Sequence, residues 1–67
     1  MLLTNAEINL LEYVIQGKSN LEISEIIGYS ESSVKKMLSK IYKKFNVKNR
    51  LALINKLLRV HNLSLFD

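Results

Sequence analysis

The run Gly28-Tyr29-Ser30-Glu31-Ser32-Ser33-Val34-Lys35-Lys36-Met37-Leu38-Ser39-Lys40-Ile41-Tyr42-Lys43-Lys44-Phe45-Asn46 holds a turn, a helix start and a helix stop in one stretch. Val34, Leu38, Ile41 and Phe45 recur at i, i+4, i+7 and i+11, the spacing of one buried helical stripe. Ser30 is placed to cap that helix, and Glu31 in its first turn favours the positive end of the helix dipole. Asn46 tolerates the left-handed conformation that ends it. With that stripe inward, a rotation of about 100° per residue turns Lys35, Lys36, Ser39, Lys40 and Lys43 outward. The outer face of this rod, Ser33–Phe45, thus carries four amines and a hydroxyl, with no carboxylate among them. A lysine face that serves only solubility usually interleaves glutamates for i, i+4 pairing. Here there are none.

Working outward, Ser19-Asn20-Leu21-Glu22 reads as a capping box, followed by Ile23 and Ile27 on one face and Gly28 as a stop. This predicts a short helix over about 20–27. A short helix, a turn at Gly28-Tyr29-Ser30 and a longer helix give the spacing of a helix-turn-helix. Gly28 allows a sharp turn because it has no Cβ to clash at positive φ, and Tyr29 is expected to pack between the two helices. Further upstream, Thr4-Asn5-Ala6-Glu7 is another capping box. Leu10, Leu11 and Val14 follow it before Gly17, which predicts a first helix over about 5–16. Downstream, Asn49 is placed to cap a fourth helix over about 50–60, apolar around much of its circumference, while 61–67 gives no firm signal. The expectation is one all-α, four-helix domain over residues 1–67.

Composition narrows the function. A chain of 67 residues buries only about 60% of the surface it exposes when unfolded. With no cysteine, neither a disulfide nor a thiolate metal site can add stability. Apolar packing, or a partner subunit, must supply it. The start has neither the basic region nor the long apolar stretch of a signal peptide, and no run approaches a membrane span. A cytoplasmic protein is expected. Nine of the ten Lys and Arg residues fall between Lys35 and Arg59, while five of the six acidic residues lie at or before Glu31. Such segregation is the footprint of a polyanion binder. Catalysis would need a nucleophile–base pair or a metal cluster. The single histidine, His61, has no carboxylate near it in sequence, so neither an enzyme nor a cofactor is expected.

Several separate positions then agree with a known pattern at fixed spacing. Leu3-Thr4-x-x-Glu7, Leu10-Leu11, Gly17-x-Ser19-Asn20-x-Glu22-Ile23, Gly28-x-Ser30-Glu31-x-Ser33-Val34-Lys35, Ile41-x-Lys43-Lys44 and Val47-Lys48-Asn49-Arg50 resemble the LuxR-type helix-turn-helix. That is the output domain of NarL- and FixJ-like response regulators and of quorum-sensing regulators, and the whole of GerE. The likeness runs without gaps over about residues 3–58. It implies a transcription regulator of double-stranded DNA, cytoplasmic in bacteria and on the nucleoid when bound. The third helix is then the major-groove reader and the fourth the dimerisation helix. It further implies base-edge contacts at Lys35, Lys36 and Ser39. Backbone contacts are implied at Asn20, Ser32, Ser33, Lys43, Asn49 and Arg50, and Lys40 on the same outward face is assigned to phosphate.

Some positions depart from the family pattern. Ala6 replaces an arginine that would pair with Glu7, and Met37 replaces a histidine, so Met37 is expected to join the core. Ser39 replaces a long basic residue, and Leu53 replaces a small alanine. On the fourth helix, Leu53, Leu57 and Val60 share a side, with Ile54 and Leu58 available to the core. The first three are therefore assigned to a homodimer interface that would set two half-sites about one DNA turn, roughly 34 Å, apart. Leu21 and Ile26 lie outside the main stripe of the second helix. They leave open a second function, a protein-binding module that contacts RNA polymerase or another regulator. Membrane binding is disfavoured, because the stripe opposite the lysines is needed for the core.

Overall fold

The computed structural model describes residues 2–66, with side chains over 2–59. Four helices follow one another: α1 (Asn5–Ile15), α2 (Asn20–Ile27), α3 (Glu31–Phe45) and α4 (Arg50–Phe66). No strand occurs among the described residues. Each helix starts on a side chain that satisfies a free backbone N–H. The Thr4 hydroxyl accepts from Glu7 N at 3.1 Å while the Glu7 carboxylate accepts from Thr4 N at 2.9 Å. Ser19 and Glu22 repeat this exchange at 3.1 and 2.9 Å. Ser30 accepts from Ser33 N at 3.1 Å, and Asn49 Oδ1 from Ala52 N at 2.9 Å. Caps of this kind contribute about 1 kcal/mol each, a large share of the stability of a small domain.

The stops are as regular as the starts. Gly17 (φ 84°), Gly28 (φ 77°) and Asn46 (φ 55°) take left-handed conformations after α1, α2 and α3. Lys18 N, Tyr29 N and Val47 N then donate back to Tyr13 O, Ser24 O and Tyr42 O, closing each last turn. The first helix ends at Ile15, because Gln16 serves as its cap. The fourth runs well beyond the expected end near Val60. Nothing between Val60 and Phe66 is a glycine or proline, so the chain meets no breaker there.

The core draws on every helix: Leu10, Leu11 and Val14 from α1, Ile23 from α2, Val34, Leu38 and Ile41 from α3, and Leu53 from α4. Helix α3 is central, packing against α2 most extensively and against α1 and α4. The expected stripe of α3 is buried except that Phe45 is only partly covered, and Met37 packs against the core as expected.

Two further expectations fail. Tyr29 does not pack between α2 and α3 but is 56% exposed. The core cluster is already filled by Ile23, Val34 and Leu38, with Ile27 packed against them. On α4 the assignment of faces is rotated. Leu53 is 0% exposed, a core residue and no interface residue, whereas Leu58, expected inside beside Ile54, is 42% exposed. The substitution of leucine for a small residue at 53 therefore fills the interior.

Candidate nucleic-acid interface

The side of α3 turned away from the core carries four of the ten basic residues of the chain, Lys35, Lys36, Lys40 and Lys43. Lys35, Lys36, Ser39, Lys40, Lys43 and Ser32 are all exposed. The one ion pair among the described residues is made by another lysine, Lys44. None of the four outward ammonium groups is therefore ion-paired with a carboxylate among the described residues. Close like charges on a rigid rod raise the local potential and attract a polyanion. At the entrance to the rod, the Ser30 hydroxyl donates to the Ser33 hydroxyl at 2.9 Å. That contact ties the two hydroxyls together at the start of α3. Ser33 itself is half-buried and Ser32 is exposed.

Asn20, Asn49 and Arg50 form a second group, with work inside the fold. Arg50 Nη1 donates to Asn20 Oδ1 at 2.7 Å, and Nη2 donates to the carbonyl of Lys18. The first residue of α4 is thus pinned to the start of α2. Because the Asn20 carbonyl faces the guanidinium, its amide N–H groups remain for another acceptor. Asn49 Oδ1 is engaged as the α4 cap. Sequence reasoning placed Arg50 at the DNA backbone and missed this brace, which no periodicity signals.

Lys44 and Glu7 make a further link, across α1 and α3. Lys44 Nζ lies 2.6 Å from Glu7 Oε1 and also donates to Leu2 O at 3.2 Å. Glu7 is buried, and its pKa is held below the usual glutamate value, first by the Lys44 hydrogen bond and then by the Thr4 N–H, against the opposing effect of burial. The partner missing at Ala6 is thus supplied from α3. The Glu22 carboxyl is lowered too, chiefly by the Ser19 N–H of its capping box and then by the Ser19 hydroxyl. Lys56 Nζ donates to Phe45 O at 2.7 Å, tying α4 to the end of α3.

Of the residues assigned to a dimer face, Leu53 is in the core, Leu57 is half-buried against it, and the side chain of Val60 lies outside those described. Among the described side chains of α4, the large apolar ones left exposed are Leu51, 67% exposed, and Leu58, seven residues on and so on the same face. On α2, Leu21 and Ile26 are exposed, as their position outside the buried stripe predicts. Among the described residues no group of three His, Cys, Asp or Glu side chains is placed to hold a metal ion. No helix there is long and apolar enough to cross a membrane.

Comparison with known proteins agrees with this architecture. Residues 1–57 match the GerE family, described as bacterial regulatory proteins of the luxR family. The chain is 40% identical over 52 residues to a probable transcriptional regulator ycf29 of Pyropia yezoensis, covering 78% of this chain and 23% of that protein. It is 30% identical over 53 residues to a probable transcriptional regulator ycf29 of Guillardia theta, covering 79% of this chain and 26% of that protein. The chain thus spans about a quarter of the length of these curated relatives. No solved structure matches it. With its helix-turn-helix and most of its length covered by the match, the chain belongs to the luxR family of bacterial regulatory proteins.

Proposed function

We propose that this chain binds double-stranded DNA and regulates transcription, with α3 entering the major groove and two copies paired through α4. The observation that carries the reading is the face of Lys35, Lys36, Lys40 and Lys43, exposed and without carboxylate partners. In this reading Lys35, Lys36 and Ser39 meet base edges, where lysine donates to guanine O6 and N7. Ser32, Ser33, Lys40 and Lys43 meet phosphates and set register. Asn20 donates its amide to the backbone with Arg50 holding it in place, and Asn49 contributes as the helix cap at the same edge. Pairing uses Leu51 and Leu58, whose exposed apolar surface a two-fold partner would cover. The setting is the bacterial cytoplasm, on the nucleoid when bound.

The test is a titration of fluorescent duplexes, one random and one selected from a library, at several salt concentrations. Removing one lysine–phosphate interaction should lower the slope of log K against log[salt] by about 0.9. Lys43→Ala should weaken both duplexes alike, while Lys35→Ala and Lys36→Ala should also change sequence preference. Equal losses on the two duplexes for all three variants would refute this division of roles. A second reading, a protein-binding module of the same fold, is favoured by the exposed Leu21 and Ile26, which suit a contact with RNA polymerase or another regulator. Absence of any duplex binding at low salt would leave that reading standing and remove the first.

A further inference from the structure

Tyr29 has no role in the core and none in the DNA-binding surface described so far. Of the aromatics with described side chains, Tyr13, Tyr29, Tyr42 and Phe45, it alone is exposed. Its backbone is nevertheless fixed. It follows the left-handed Gly28, its N–H donates to Ser24 O at 3.1 Å, and it precedes Ser30, whose hydroxyl caps α3. The ring lines an open notch together with Ser33, Lys36 and Met37. That lining is mainly apolar, and its residues bring a phenol, a hydroxyl and an ammonium but no carboxylate. Two of the four residues, Ser33 and Lys36, also belong to the candidate interface, so the notch adjoins the face that reads the groove.

We propose that the notch takes the deoxyribose–phosphate strand bordering the groove, an inference that rests on the proposed binding of duplex DNA. A sugar–phosphate unit offers an apolar C–H face beside an anionic group, and the lining matches both parts. The Tyr29 ring and the Met37 side chain cover the sugar. The Tyr29 and Ser33 hydroxyls donate to a phosphate oxygen, and Lys36 closes the notch on the side of the bases. Tyrosine suits the place because it joins a rigid apolar body to a polar tip. Backbone contacts of this kind position a protein on DNA without reading sequence. The fixed backbone at Gly28–Ser30 leaves little freedom to lose when the contact forms.

The experiment compares the wild-type chain with Tyr29→Phe and Tyr29→Ala by anisotropy on the random and selected duplexes across salt, alongside thermal melts. Loss of one net hydrogen bond should weaken Tyr29→Phe about threefold to tenfold on both duplexes alike. The salt slope should stay unchanged, because a neutral hydroxyl releases no counterion, in contrast to Lys43→Ala. Tyr29→Ala should be weaker still. The melting midpoint of Tyr29→Phe should equal the wild-type value, a result that separates a missing hydrogen bond to DNA from a damaged fold. Wild-type affinity in Tyr29→Phe overturns this proposal alone. So does a loss confined to one base-pair identity, which would make Tyr29 a base reader. A larger loss on single strands than on duplexes overturns it too, in favour of base stacking. A wild-type chain that binds no duplex overturns both this proposal and the reading beneath it.

Discussion

Truncating Leu53 to alanine separates the two roles that a leucine on α4 can have. The side chain is 0% exposed within a core that draws on all four helices. Leu→Ala at such a site costs about 2–5 kcal/mol, from lost transfer energy plus the cavity left behind. A domain of this length has a total stability of roughly 3–10 kcal/mol at about 0.05–0.15 kcal/mol per residue. A loss of about 3 kcal/mol is therefore between a third of the stability and all of it. At about 4–8 °C per kcal/mol the melting midpoint should fall by roughly 12–24 °C. Circular dichroism melts at several protein concentrations test this, because self-association makes the midpoint concentration-dependent. Leu53→Ala should be destabilised at every concentration. Leu58→Ser, at an exposed position, should keep the fold within about 0.5 kcal/mol when dilute and lose only the concentration dependence. A Leu53→Ala chain that melts near wild type and has lost only its self-association would refute the placement of that side chain in the core.

Other perturbations probe the braces and turns. Arg50→Ala should destabilise by about 1–3 kcal/mol in urea unfolding, since it leaves the Asn20 and Lys18 carbonyls without their donor. Arg50→Lys should recover only part of that, because one ammonium lacks the planar fork that reaches both. The folded-state pKa of Glu7 lies below its ordinary value, so the carboxylate adds stability above the usual glutamate range, and this is lost as pH falls through the lowered pKa. Wild type should therefore melt above Glu7→Gln at neutral pH and lose that advantage in strong acid. A gap that does not change with pH contradicts the ion pair. Gly28→Ala should cost about 1–2 kcal/mol through backbone conformation alone, since no heavy atom lies within 4 Å of the added Cβ. A D-alanine made there by chemical synthesis should show no such loss in the same melt.

Local chemistry made most of this fold legible in the sequence. The Thr4, Ser19 and Ser30 starts and the Gly17, Gly28 and Asn46 stops are each written in one or two residues, and each forms where expected. The outward lysines of α3 were legible for the same reason: one helical period sorts them from Val34, Leu38 and Ile41. What was hidden depends on contacts between distant parts of the chain. On α4, apolar residues point in most directions, so periodicity could not say whether Leu53 or Leu58 faces inward. The answer came from the packing of α3. Arg50 and Lys44 look like the other basic residues in sequence, yet their partners lie 30 and 37 positions away. Tyr29, expected between α2 and α3, is exposed instead, and the core there is made of the smaller aliphatic side chains Ile23, Val34 and Leu38.

Helix α4 is moored twice, by Arg50 to the start of α2 and by Lys56 to the end of α3. Rotation of α4 about its own axis is therefore resisted at two points, one on each helix of the helix-turn-helix. In a pair joined through α4, the jaws of the assembly would hold a set gap, in the manner of a gauge. Inserting about five base pairs between half-sites turns the second site to the far side of the duplex. Such a pair would miss that site rather than swivel to reach it.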